Sequence, residues 1–438
     1  MRKRLLLIAY YFPPLGLSGV QRVLKWAKYL PESGWDITVL TARPGSYFAR
    51  DESLLDDLRG RDVEIVRTPS IDPTRWVSRR DVRFPGESRR RVFAKISQTI
   101  FQPDNKIGWY PFAVSAGKNI LSNHHFDAIY SSAPPYTAHL IGAALSRFSG
   151  VPLILDYRDD WINNPRHHYA SRWHLQLANR QEQSVFKTAS AITTINDAIK
   201  SELTKRVTGQ ISEDQIRVFP HGFDPDDFML PADANGTDIT ADRKPGTPVE
   251  FVYSGVFYDA QKPDIFLRGL AGFLNKHGEA RPAIRARFIG LVPDYTLDLV
   301  IQLGLDDVVI LEGYLNHSAA ARVIANADVL WMTVGEGEGS FMISTSKLFE
   351  YFGTGNPILG LVPEGTARKA LGEYGAAEIV DPDDIAGATM AIRRLYNASR
   401  SGLSKRGNEQ FIEQFDRKRL AAKLAAFLDQ LSLSEREN

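Results

Sequence analysis

Cysteine is absent from the 438 residues, which excludes disulfides and cysteine-ligated metal centres. Histidine is sparse: nine in all, with two adjacent pairs, His124–His125 and His167–His168, neither in a zinc-ligand spacing. No metal site is therefore assigned. An excess of one charge sign is also missing. The formal net charge is +1, so the whole-chain balance does not point to nucleic acid. Long apolar runs are lacking too. The run from Leu5 to Ala9 is too short for a signal-peptide core, ends in Tyr-Tyr-Phe-Pro-Pro, and is not matched elsewhere by one of membrane-spanning length. The expectation is a cytoplasmic protein, soluble or peripheral.

What is present is enough apolar residue, 43%, to fill two sizeable cores. Short apolar runs of strand length fall at 5–10, 37–41, 63–67, 126–131, 151–157, 191–195 and 216–220, then at 249–255, 286–290, 308–312, 329–333, just after Pro357 and at 378–380. Segments with helical apolar spacing lie between them, such as 20–30, 173–187 and 347–352. Alternating strands and helices predict an α/β chain of two Rossmann-like parallel-sheet domains facing across a cleft. The domains are placed at 1–228 and 249–405, joined by a polar linker at 229–248. A long amphipathic helix, 411–431, lies in a C-terminal segment, 406–438, that packs back toward the N-terminal domain.

The most informative stretch is 340–363, SFMISTSKLFEYFGTGNPILGLVP. Ser344, Thr345 and Ser346 precede a helical run, and hydroxyls there cap free backbone N–H groups. With Lys347 beside them, the helix start is an anion site. Glu350 lies one turn in; a carboxylate suits sugar hydroxyls better than phosphate. The pattern reads as phosphate at the helix start and ribose next to it, a nucleotide-sugar pocket. A capped helix with no ligand is the alternative.

Other candidates sit where strands end. Gly16 and Gly19 follow the first strand and allow close backbone approach, as a ligand loop or a structural turn. Their spacing is not that of a dinucleotide fingerprint, which disfavours a dehydrogenase. Arg158 and Asp159 end the fifth strand, where open α/β sheets place ligands. They either meet a phosphate, carboxylate or hydroxyl or brace each other. Lys262 stands where a loop becomes a helix, as a phosphate ligand or a surface lysine. From 75 to 95 the chain carries Arg75, Arg79, Arg80, Arg83, Arg89, Arg90, Arg91 and Lys95 against Asp81 and Glu87, with Trp76, Phe84 and Phe93 interleaved. Such a segment fits peripheral contact with an anionic membrane face, an acidic acceptor, or a solvated loop.

Taken together, these segments resemble family 4 retaining glycosyltransferases of the GT-B fold over nearly the whole chain. YYFPPLGLSGVQR resembles the glycine loop that approaches the donor diphosphate. VFPHGFDPDDF is similar to the turn ahead of the linker, with His221 where Asn is usual. In YSGVFYDAQKP, Lys262 matches the phosphate-binding Lys, while Val256 stands where an Arg is usual. EGYLNH resembles the base-holding segment, which implies that Tyr314 and Leu315 contact the base. SKLFEYFGTGNPILG matches the most specific motif and puts Glu350 on its ribose-binding Glu. The first Glu of that motif would fall eight residues earlier, at Met342; Glu338 stands in its place if the loop carries four extra residues. Arg158 occupies a strand end where many members have His.

The resemblance implies transfer of a sugar from a nucleotide diphosphate sugar, UDP- or GDP-linked, to a hydroxyl acceptor with retention. No cofactor or metal is implied, because Lys262, Lys347, the N–H groups near Thr345 and Ser346, and Gly19 would meet the diphosphate charge. The catalytic set would be Arg158, Asp159 and Glu338. The expected acceptor is an envelope or lipid-linked glycan, at the inner membrane face if 75–95 rests there. A nucleotide-sugar 2-epimerase and a non-catalytic nucleotide-sugar binder are the alternatives.

Overall fold

The computed structural model describes residues 2–16, 18–45, 49–72, 99–164, 167, 169–207, 211–228, 246–257 and 261–434. The basic segment 75–95 and most of the linker, 229–245, lie outside the described residues. Two compact units emerge: residues 1–221 with 417–438, and residues 222–416.

The first unit contains β1 (Lys3–Ile8), α1 (Ser18–Tyr29), β2 (Trp35–Ala42), β3 (Val63–Thr68), α2 (Tyr110–Asn123), β4 (Ala128–Ala133), α3 (Thr137–Ser149), β5 (Leu153–Tyr157), α4 (Arg172–Phe186), β6 (Ala189–Thr194), α5 (Asp197–Arg206) and β7 (Ile216–Val218). Its seven strands run parallel in the order β3-β2-β1-β4-β5-β6-β7. Strands covered on both faces need continuous apolar side chains, and Leu5, Leu6, Leu7 and Ile8 are fully buried. In α1 the buried Val20, Val23, Leu24 and Ala27 form the stripe that seats the helix on the sheet.

The second unit holds β8 (Val249–Val256), α6 (Asp264–Lys276), β9 (Ile284–Leu291), α7 (Thr296–Gln302), β10 (Val309–Gly313), α8 (His317–Ala325), β11 (Val329–Thr333), α9 (Ser346–Thr354), β12 (Ile358–Leu361), α10 (Thr366–Tyr374), β13 (Ala377–Val380), α11 (Ile385–Arg400) and the short α12 (Glu409–Ile412). Six parallel strands are ordered β10-β9-β8-β11-β12-β13. The final helix, α13 (Arg417–Ser434), returns to the first unit.

Two sequence expectations are corrected at this point. Residues 222–228, placed with the N-terminal domain, belong to the second unit. The ring of Phe223 lies under Gly353, where an added Cβ would come within 2.5 Å of it. The helix expected over 411–431 is broken: α12 and a 3-10 turn end at Asp416, whose backbone is extended (φ −61°, ψ 120°). The break separates two sets of apolar anchors. Phe411 and Phe415 pack with Phe352 in the second core. Leu420, Leu424 and Leu428, spaced one helical turn apart, pack with Leu24 and Trp35 in the first. Each such fully buried leucine contributes about 1.5–3 kcal/mol, and the ion pairs Lys3–Asp429 (2.7 Å) and Lys418–Glu32 (2.9 Å) flank the seat of α13. No helix among the described residues is long and apolar enough to cross a membrane.

Candidate functional site

Each sheet reverses strand order once, between β1 and β4 in the first and between β8 and β11 in the second. The carboxyl ends of strands flanking such a switch point form the crevice where open α/β sheets take ligands. Candidate residues follow β1 and β5 in the first unit and β8, β10 and β11 in the second.

In the first unit, the Gly16 N–H donates to the Ala49 carbonyl (2.9 Å), which pins the loop after β1. Gly19 is in the first turn of α1, and its carbonyl accepts from Arg158 (2.5 Å). Arg158 is 8% exposed. Its other guanidinium nitrogens donate to the carbonyls of Ala133 (3.2 Å) and Pro134. The side chain thus ties the ends of β4 and β5 to the glycine loop through backbone carbonyls. Burial lowers the Arg158 pKa, against the opposing charges of Asp156 and Asp159. Asp159 is half-buried beside it and has no hydrogen-bond or ion-pair partner among the described residues.

Beneath this layer lies a charged core that the sequence reading did not single out. Asp156 on β5 is fully buried. It pairs with Arg22 of α1 (2.8 Å) and accepts from Ser132 (2.8 Å) and Thr193 (2.9 Å). Burial pushes its pKa up, but Arg22 and the hydrogen bonds from Arg22 and Ser132 outweigh this and hold it at about 2. Arg22 also donates to the carbonyls of Phe219 (2.8 Å) and Pro220 (3.0 Å), so one guanidinium joins α1, β5 and the segment after β7. His221 follows directly. Burial, then the charges of Arg22, Arg417 and Arg158, drives its pKa well below the usual value, so the imidazole is neutral. His139 shares a hydrogen bond with Ser131 (2.8 Å) and packs on Tyr157; burial takes it down to about 3. It is a neutral packing residue. The available signal was an Asp in an otherwise apolar strand, LILDY, and an Arg just after the glycine loop.

In the second unit, α9 starts at the switch point. Thr345 has N-cap backbone geometry (φ −77°, ψ 143°), yet its hydroxyl makes no capping bond. Its Oγ1 is buried and without a partner among the described residues. This differs from the expected hydroxyl cap and leaves a donor at the helix start. Ser346 is the first helical residue and Lys347 the second. Lys347 Nζ donates to the Tyr253 hydroxyl (2.5 Å) on β8. It lies 3.1 Å from where a Cβ would sit on Gly255, a residue at φ +135°. Across the register from Gly255 is Gly290 at φ +111°, whose Cβ would collide with the Gly255 carbonyl at 2.1 Å. Two side-chain-free strand ends therefore adjoin, and the one on β8 borders the lysine. One turn further along α9, the Tyr351 hydroxyl accepts from the Ser254 N–H (2.8 Å). Gly355, at φ +68°, ends the helix.

Glu350 is half-buried and has no hydrogen-bond or ion-pair partner among the described residues. Tyr314 and Leu315 lie between β10 and α8, both half-buried, with Leu315 against the core. Asn316 then caps α8 by accepting from the Ala319 N–H (2.8 Å). Lys262 is exposed in the loop before α6. Glu338 is exposed on a turn before Gly339, and Met342 is 5% exposed. The position eight residues before Glu350 is thus a buried methionine, and Glu338 makes no hydrogen bond or ion pair among the described residues.

Two parallel-sheet α/β units with this strand order have the GT-B fold. Solved structures share it over nearly their full length. Sucrose-phosphate synthase from Thermosynechococcus elongatus superposes with a TM-score of 0.68 at 15% identity, covering 99% of this chain and 100% of that one. Anabaena HepE, in complex with UDP and glucose, gives 0.61 at 15% identity, covering 98% and 100%. WaaG, a glycosyltransferase involved in lipopolysaccharide biosynthesis, gives 0.56 at 14%, covering 97% and 99%. No curated protein matches in sequence. Residues 19–222 match the model of the glycosyl transferase 4-like domain.

Proposed function

We propose that this chain is a retaining glycosyltransferase that moves a sugar from a nucleotide diphosphate sugar to a hydroxyl acceptor in envelope or lipid-linked glycan synthesis. The observation that carries the proposal is the start of α9: an uncapped hydroxyl, a lysine held beside a bare glycine, and an unpartnered Glu350 one turn on. Anion and sugar hydroxyls need those groups in that order. In this reading the bond from the anomeric carbon to the phosphate oxygen breaks and its electrons go to the departing diphosphate. That charge is met by Lys347, Lys262 and the helix N–H groups rather than by a divalent ion. The acceptor oxygen bonds the anomeric carbon and its proton leaves with the phosphate. Glu350 holds the ribose, and Tyr314 and Leu315 flank the base. The first unit is assigned the acceptor, with Asp159 at its strand end.

HepE binds UDP and UDP-glucose, which makes UDP-sugars the first donors to try. WaaG acts in lipopolysaccharide biosynthesis, which supports an envelope acceptor. The test is transfer of labelled sugar from UDP-, GDP- and ADP-sugars into a bacterial lipid extract, with the product anomer read by NMR. Acceptor-dependent release of nucleoside diphosphate with retention is expected. Donor binding without transfer would favour the non-catalytic reading, which buried Met342 and the backbone-bound Arg158 also support.

A further inference from the structure

We infer that Tyr253 is a positioning residue for Lys347, and that this pair makes the second unit select a nucleoside diphosphate over the corresponding monophosphate. The inference rests on reading this unit as the donor site.

Tyr253 is fully buried near the carboxyl end of β8. Its ring stacks on Phe257 (centroids 4.1 Å apart, 10° between planes) and packs on Trp331 (4.8 Å). A fully buried ring packed on two aromatic neighbours, with Lys347 Nζ over it at 4.1 Å from the centroid, is held in place, so its oxygen is a fixed point. The hydroxyl donates to the Val256 carbonyl (3.3 Å) and accepts from Lys347 Nζ (2.5 Å). Both roles of a phenol are thereby used in one line, from helix start to strand end. The result is an ammonium fixed beside Gly255, where a Cβ would meet it at 3.1 Å. A lysine on a flexible four-carbon stem otherwise loses rotamer entropy on binding an anion. Prior fixation by Tyr253 removes much of that loss.

Val256 and Phe257, which follow the glycine, are buried and apolar, so the last residues of β8 carry no cation, and Lys262 in the loop beyond is exposed and not fixed by a neighbour among the described residues. Lys347 reaches across from α9 to supply one. Helix N–H groups suffice for one phosphate. A second phosphate adds charge that a fixed ammonium meets and a helix end alone does not.

The test is calorimetric titration of the full chain with UDP, GDP and ADP, each against its monophosphate, for wild type, Tyr253→Phe, Lys347→Met and the double variant. Phe keeps the ring stack and removes only the oxygen. For the base that binds wild type, Tyr253→Phe is expected to weaken the diphosphate roughly tenfold and leave the monophosphate within about twofold. The double variant is expected to be no weaker than Lys347→Met. Full diphosphate affinity in Tyr253→Phe, equal loss of both ligands, or additive losses would overturn the inference. Weakening in Lys347→Met alone would do so while leaving the donor site standing; no nucleotide binding by folded wild type would remove both. If Tyr253→Phe does not fold, Lys347→Arg serves, because it keeps the charge and replaces the point ammonium that the phenol fixes by a planar fork of different geometry. The same diphosphate-selective loss supports the pair, and unchanged affinity overturns it.

Discussion

Arg158 donates to the carbonyl of Gly19 at 2.5 Å across 139 residues of sequence. With the carbonyls of Ala133 and Pro134 on its other nitrogens, it is a clasp on the glycine loop. Lysine offers a point charge and not a planar fork, so Arg158→Lys leaves at least one of these carbonyls without its donor. A loss of about 1–3 kcal/mol is expected, read by urea unfolding. An unchanged midpoint would show that the clasp is dispensable.

Asp156→Asn tests the charged core. It leaves Arg22, 4% exposed, without its counter-charge. Breaking one side of a buried pair typically costs about 3–5 kcal/mol. Expected is a large drop in melting temperature, with partial recovery when Arg22 is also replaced by Met. If the single variant melts like wild type, the pair does not hold β5 to α1.

Acid should destabilise the first unit in two stages. His139, brought from 6.5 down to about 3 by burial, must stay neutral in the fold. The unfolded chain therefore binds more protons, and stability falls as pH drops below 6.5. His221 acts in the same direction. Asp156, lowered from 3.8 to about 2, stabilises above 3.8, and that contribution is lost as pH falls toward 2. His139→Phe should flatten the slope of melting temperature between pH 6.5 and about 4. An identical slope would mean that His139 does not titrate in this way.

Gly290→Ala examines the bare strand end that packs against Gly255, the glycine beside Lys347. A Cβ there meets the Gly255 carbonyl at 2.1 Å, and φ is +111°. A strained position of this kind costs about 1–3 kcal/mol. The variant should lose stability and nucleotide affinity together. Normal affinity would show that the glycine pair does not shape the pocket.

Much of the fold was legible because parallel strands need unbroken apolar runs. LILDY, VLWMT and ILGL are strands in the structure close to where the sequence marks them. α9 was legible from its hydroxyl-rich start and its terminating Gly355. The break at Asp416 was not, because residues on both sides carry helical apolar spacing and differ only in which core receives them. Arg158 was placed correctly at a strand end, but its carbonyl partners are set by long-range approach and not by its neighbours in sequence. The absence of a capping bond from Thr345 and the reach of Lys347 to Tyr253 depend on side-chain direction, which composition and spacing do not encode.

The most direct measurement is a thermal melt of wild type and Glu350→Ala with UDP, GDP, ADP and their sugar conjugates. A ligand at about a hundred times its dissociation constant should add about 2.7 kcal/mol. The result expected is a clear shift with one base in wild type, lost in Glu350→Ala while the unliganded melt stays the same. No shift with any nucleotide in folded wild type, or an equal shift in Glu350→Ala, would contradict the donor pocket at the start of α9.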